Sequence, residues 1–199
     1  MTTNEIDTPN FLVETIQSMQ TLARKNGWRL TVEVETASGA LDYYFVHTQF
    51  TNAYNNLTNV VVDLSPETVP PDHPAFLLGA HYDSAFRSPG ASDDGVPVVV
   101  ILETIRCLVS QKASRYRNRL VAVLNGAEES YLVGSHAFVT QHLWAAHVVG
   151  FINLEAMGSG GAEILFQATP NKDWVLREYA VLVLSSLFSL DTPLIPMER

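Results

Sequence analysis

Three short apolar runs, AFLLGA (75–80), LVAVL (120–124) and VVGFINL (148–154), constrain this chain more than anything else in it. They lack the alternation of a half-buried strand and are too short for a buried helix, so each reads as a strand covered on both faces. Each is followed by a polar loop. Behind the first two loops the apolar spacing turns helical, over 96–111 and 131–141; behind the third come a short strand at 162–167 and a helix over 173–188. Strand, polar loop and helix in repetition give a mostly parallel sheet with helices on both faces. Ahead of this unit, Phe11, Leu12, Ile16, Met19, Leu22 and Ala23 predict a helix over 10–26, stopped by Gly27. Three β-rich runs follow at 29–35, 41–48 and 58–64, punctuated by Gly39 and the cluster at 52–56. Residues 65–74 carry four prolines and read as loop. The expected class is α/β: three αβα layers around a mixed, mostly parallel central sheet. A chain of 199 residues is long enough for one such domain with a real core.

In open sheets of this kind, ligands bind outside the carboxyl ends of the strands. The acidic residues of this chain gather there. His81, Asp83, Asp93 and Asp94 follow the first strand, Glu128 and Glu129 the second, and Glu155 the third. If the loops converge, six carboxylates crowd one imidazole. Like charges at about 4 Å repel by roughly 4 kcal/mol per pair at an effective dielectric near 20. Protonation relieves such crowding, and so does a divalent cation. One ring nitrogen among oxygens points to zinc or a similar first-row metal over calcium or magnesium. Taken singly, Asp93-Asp94-Gly95 reads as a turn and helix cap, and Glu128-Glu129 as the acidic first turn of a helix. Their coincidence at three successive strand ends selects the metal. The adjacent glutamates suggest a division of labour, one ligating and the other exchanging protons with activated water. Metal-assisted hydrolysis is the reaction class that fits.

The remaining composition sets limits. Hydrophobic residues at 47% against 17% charged argue against disorder. A formal net charge of −9 argues against nucleic acid as a partner. Cys107 is the only cysteine, which rules out an internal disulfide and a cysteine-based zinc finger. The N-terminus shows no signal-peptide pattern, and no apolar run approaches the roughly 20 residues of a membrane span. Asn56-Leu57-Thr58 is a glycosylation acceptor pattern, with meaning only in a lumenal or secreted chain.

The motifs together resemble the M28 family of zinc aminopeptidases, and within it the endoplasmic reticulum metallopeptidase group. The similarity rests on NLTNVVV (56–62), AHYDS (80–84), SPGASDD (88–94), NGAEE (125–129), TQHLWA (140–145) and NLEAMG (153–158), in that order. The resemblance implies a zinc-exopeptidase, phosphorylase/hydrolase-like fold over 1–199, with its core at 56–190. It implies that His81 and Glu155 bind one zinc, that Asp93 bridges two zincs and that Glu129 binds the second. Glu128 is then the general base and acid, Asp83 fixes the imidazole of His81, and the Asp93–Asp94 peptide is cis. Many relatives carry Asp where Glu155 stands. The family completes its second metal with a later histidine, whereas no histidine follows His147 here. The domain is therefore expected to be incomplete at its C-terminus, holding one or two zincs, and to lack the membrane spans of a membrane-embedded parent. His136, His142 and His147 are scaffold by the same similarity. The implied activity is removal of an N-terminal residue from peptides, with the endoplasmic reticulum membrane, lumenal side, as location. A glutaminyl cyclase-like zinc transferase and a non-catalytic scaffold on the same fold stay open as alternatives.

Overall fold

A computed structural model describes residues 3–45, 47–156, 164–170 and 173–188, with side chains described over 8–44, 47–156, 164–170 and 173–182. Contacts divide it into two units, Met1–Gly158 and Ser159–Arg199. The first unit runs α1 (Thr3–Ser18), α2 (Gln20–Lys25), β1 (Trp28–Phe45), β2 (Thr48–Pro66), β3 (Ala75–His81), α3 (Val96–Val109), β4 (Arg119–Asn125), α4 (Val133–Gln141) and β5 (Val148–Asn153). The second unit contains α5 (Asp173–Phe188), at the bounds the sequence predicts.

The sheet order is β1-β2-β4-β3-β5. β3 lies parallel to both β4 and β5, while β2 runs antiparallel to β1 and β4. Four of the five strands therefore point the same way, and the mixed, mostly parallel sheet is observed. Alternation along β2 and β4 divides the core. Val60, Val62, Leu64, Ala122 and Leu124 face Leu12 and Ile16 of α1 and Ile101 and Ile105 of α3. Val61, Val121 and Val123 face Phe138 of α4 on the other side. Burying an Ile or Leu side chain fully contributes about 1.5–3 kcal/mol, so these two faces hold the three layers together.

Four expectations change. The helix expected over 10–26 divides into α1 and α2. The apolar run of β5 lies at the edge of the sheet with Val149, Phe151 and Ile152 exposed, so it is not covered on both faces. The three β-rich runs near the N-terminus join into two long strands, because a register shift between Ala37 and Gly39 absorbs the irregularity without ending the ladder. Ser38 Oγ lies 2.9 Å from Asn55 Oδ1 and accepts from the Asn56 backbone N–H at 3.0 Å, and Asn56 takes a positive φ of 54°. The strand expected at 162–167 is not formed over its described part, 164–167. Ile164 and Phe166 are exposed, and among the described residues no strand pairs with the segment. Among the described residues, no helix is long and apolar enough to cross a membrane.

At the amino ends of β3 and β4, away from the acidic rim, Arg119 is buried to 1% exposure. Its Nε donates to Asp63 Oδ1 on β2 at 3.1 Å, and its Nη1 donates to the His73 carbonyl at 3.1 Å. Nη1 also lies 3.2 Å from His147 Nδ1. A guanidinium only donates, so this ring nitrogen is the acceptor and His147 carries its proton on Nε2. One cation thus ties together β2, β4 and the segments leading into β3 and β5. Removing one partner of a buried pair leaves the other charge uncompensated. Asp63→Ala is expected to cost about 3–5 kcal/mol of stability in urea unfolding. A loss below about 1 kcal/mol, the range of an exposed ion pair, would show that the pair is solvated.

Candidate metal centre

β3 ends at His81, whose side chain is 2% exposed. Its Nδ1 faces the Asp83 carbonyl at 3.0 Å and Asp83 Oδ1 at 3.4 Å. Both are acceptors, so Nδ1 carries the proton and Nε2 is left to face the rim. Nε2 lies 3.1 Å from Asp93 Oδ1, 3.3 Å from Glu155 Oε1, 3.8 Å from Glu128 Oε2 and 4.0 Å from Asp94 Oδ2. Ligand-capable atoms of His81, Asp93, Asp94 and Glu155 all lie within 4.8 Å of one another.

The acidic side chains arrive from the loops after three successive parallel strands, β3, β4 and β5. The turn Ala91–Gly95 delivers Asp93 and Asp94, joined by a cis peptide. Gly90 starts that turn at φ +66°, and a Cβ there would sit 2.8 Å from Ser84 Cβ, so only glycine fits. Asp94 Oδ2 accepts from the His81 backbone N–H at 3.0 Å, which stitches the turn to the end of β3. Glu155 follows β5, and the Leu154 backbone N–H donates to Gly79 of β3. Oδ1 of Asp93 and Oδ1 of Asp94 are both buried without a hydrogen-bond partner. Carboxylate oxygens without a hydrogen-bond partner, beside an imidazole nitrogen whose lone pair is freed once its proton is displaced, are a donor set that fits a divalent cation.

Asp83 is more connected than a partner for His81 alone. Its Oδ1 accepts from the Glu128 backbone N–H at 3.0 Å and its Oδ2 from that of Glu129 at 3.2 Å. The carboxylate therefore pins the loop after β4 to the loop after β3. That loop is bracketed by positive φ at Ala127, Tyr131 and Leu132. Each such non-glycine residue costs about 1–2 kcal/mol, so the surroundings must hold it. Glu128 points toward the imidazole, with its side chain 25% exposed. The Glu129 carboxylate is exposed and, among the described residues, is not part of the converging group.

The electrostatics follow from this crowding. Burial pushes the His81 imidazole down, but the hydrogen bond to Asp83 and the charges of Asp94, Asp83 and Glu155 outweigh it and raise it to about 10. Burial, with the charges of Glu155 and Asp93, raises Asp94 to about 7 against the hydrogen bond and charge of His81. Burial also raises Glu128, helped by Glu155, Asp83 and Glu129 and opposed by His81. For Asp83 burial pushes upward, and the bonds from His81, Glu128 and Glu129 more than reverse it, so it lies below its ordinary value. The site thus separates its carboxyl groups: one held ionised, two pushed toward accepting protons.

Asp94 was given no ligand role by the sequence, yet its carboxylate lies among the converging groups. The adjacent acidic doublet was the available signal, and it does not say which side chain turns inward. The other histidines lie elsewhere. His136 Nδ1 meets Tyr54 Oη at 2.9 Å, and His142 stacks on Phe138 with centroids 5.2 Å apart.

The family model described as peptidase family M28 matches residues 59–190. Endoplasmic reticulum metallopeptidase 1 of Mus musculus is 40% identical over 179 residues, covering 89% of this chain and 19% of its own length. The chain thus spans 19% of that relative. The solved structure of LapA from Legionella pneumophila is similar with a TM-score of 0.65 at 20% identity, over 94% of this chain and 47% of that one. A glutaminyl cyclase from Macrostomum lignano is similar at a TM-score of 0.52 and 16% identity, over 94% of this chain and 57% of that one. These two likenesses show the fold alone.

Proposed function

This chain belongs to peptidase family M28, and on that footing we propose that it carries the metal-binding face of a zinc-dependent exopeptidase that removes N-terminal residues from peptides. The observation that supports this reading most is the convergence of His81 Nε2 with carboxylates of Asp93, Asp94 and Glu155 within 4.8 Å. In this reading His81, Asp93 and Glu155 would hold zinc, and Asp93 and Glu129 would contribute to holding a second. Zinc held there supplies Lewis acidity toward a peptide carbonyl and lowers the pKa of water. The other steps belong to the chain. Asp83 keeps the His81 proton on Nδ1, so that Nε2 stays available. Glu128, raised by burial, accepts a proton from the attacking water and returns it to the leaving amine.

The fold is shared with a glutaminyl cyclase and does not separate the two chemistries. The pairing of His81 with Glu155 beside Asp93 supports two-metal peptide hydrolysis. The named relative is an endoplasmic reticulum protein, and a lumenal location on a membrane-embedded parent extends from it. A glycan on the exposed Asn56 would separate that location from a cytosolic one.

The activity test uses one peptide with a free and with an acetylated N-terminus. Release of the first residue from the free peptide alone, abolished by a chelator and restored by zinc, is the expected result. Equal cleavage of the acetylated peptide would contradict the exopeptidase assignment.

A further inference from the structure

The β1–β2 hairpin is far longer than the sheet needs. β2 pairs with β4 only from Val60 to Leu64, while its pairing with β1 continues to Thr48 against Phe45. Because Val60 stands opposite Leu124, near the carboxyl end of β4, the rest of the hairpin projects past the rim that carries the acidic residues. A free two-stranded arm is marginally stable in water, so it must be held. At its middle, Tyr54 Oη meets His136 Nδ1 at 2.9 Å and accepts from Gln141 Nε2 at 2.9 Å, both on α4.

Nearer its tip the arm grips a different element. Tyr43 and Phe50, opposite each other in the hairpin, pack on Tyr131 with ring centroids 5.7 and 4.9 Å away. Asn52 Nδ2 donates to the Ser130 carbonyl at 2.6 Å. Ser130 and Tyr131 directly follow Glu128 and Glu129, and Tyr131 and Leu132 both hold positive φ, a conformation that bulky residues keep only when fixed from outside. The loop is thus held at both ends: Asp83 takes the Glu128 and Glu129 amides, and the arm takes Ser130 and Tyr131.

We propose that the aromatic clamp of Tyr43 and Phe50 on Tyr131, with Asn52 on Ser130, is a positioning device that sets the Glu128–Glu129 loop against the metal centre. Its catalytic consequence rests on the function proposed above; its structural content does not. The clamp residues touch neither substrate nor metal ligands in this account and act through the loop.

The test reads the loop first and activity second. Hydrogen exchange at the Glu128 and Glu129 amides reports the Asp83 anchor directly. Phe50→Ala is expected to weaken their protection about tenfold, while the β4 amides of residues 120–124 keep theirs and Phe50→Tyr restores the loop. Asn52→Ala should act in the same direction, and it decides the question if Phe50→Ala fails to fold. Where peptide hydrolysis is measured, kcat falls about tenfold with KM unchanged, because the base is displaced and the substrate is still bound. Unchanged exchange at both amides in both variants would overturn the clamp. Deprotection with kcat unaltered would overturn its positioning role. Activity retained by Glu128→Gln would instead reject the proposed function and leave the exchange result to judge the clamp.

Discussion

Glu128→Gln abolishes peptide hydrolysis and leaves zinc content unchanged; this is the largest effect the structure leads us to expect. The amide has the size of the carboxylate but cannot take a proton, so a general base is removed with little change in shape. General acid–base groups contribute typically about 10²–10⁴-fold, and kcat should fall by that order. The geometry favours this role over ligation. Glu128 Oε2 stands 3.8 Å from His81 Nε2, outside the converging group of His81, Asp93, Asp94 and Glu155. Burial raises its pKa, moving it toward the working pH of a base. Steady-state kinetics beside metal analysis separates the outcomes. Hydrolysis retained by the variant removes the general-base role, and zinc lost from it makes Glu128 a ligand.

Asp93→Asn should be nearly as severe, with metal uptake as the readout. Asp93 Oδ1 is buried, unpartnered and 3.1 Å from His81 Nε2, so it is the oxygen with most to gain from a cation. An amide offers no charge there, and zinc affinity measured by chelator competition should fall by about 10–100-fold or more. Uptake also depends on pH, with a definite sign. Without metal His81 is raised to about 10 and Asp94 to about 7, so both hold protons that zinc must displace near neutrality. Zinc affinity therefore rises with pH, by about tenfold per unit for one displaced proton. At His81 and Asp94 the folded metal-free chain binds more protons than the unfolded one, so the stability these two groups contribute falls as pH rises. The Asp94 contribution is lost as pH rises from 3.8 through about 7, and that of His81 from 6.5 through about 10. Zinc affinity independent of pH between 6 and 8 would show that neither group binds the metal.

Much of this was legible in the sequence, for a physical reason. Continuously apolar runs bounded by polar loops mark strands, so β3, β4 and β5 announced themselves, although only β3 and β4 are largely buried and β5 lies exposed at the sheet edge. The rule that ligands gather at their carboxyl ends then pointed to the residues that follow. His81, Asp93 and Glu155 meet where that reading placed them in the fold. Side-chain direction was not legible. The sequence does not tell that Asp94 turns inward beside Asp93, nor that the Glu129 carboxylate stays exposed, because both depend on backbone turns of a few residues. The pair of hydrogen bonds that Asp83 accepts from the Glu128 and Glu129 amides was hidden for the same reason. The hairpin arm was misread as separate strands because Gly39 and the asparagines look like turn signals. A bulge needs the same residues and lets the ladder continue. Its grip on Tyr131 joins residues about eighty positions apart, beyond the reach of local pattern. Arg119 gives no signal either, since a lone arginine before a buried strand reads as surface until Asp63 is seen to face it.

The most direct measurement is zinc per chain, by elemental analysis of folded protein after dialysis against metal-free buffer, with Asp93→Asn beside it. The account predicts zinc retained by the wild-type chain, at one per converging group of His81, Asp93, Asp94 and Glu155, and lost from the variant. A folded wild-type chain that retains no zinc, or a variant that retains as much, would contradict it.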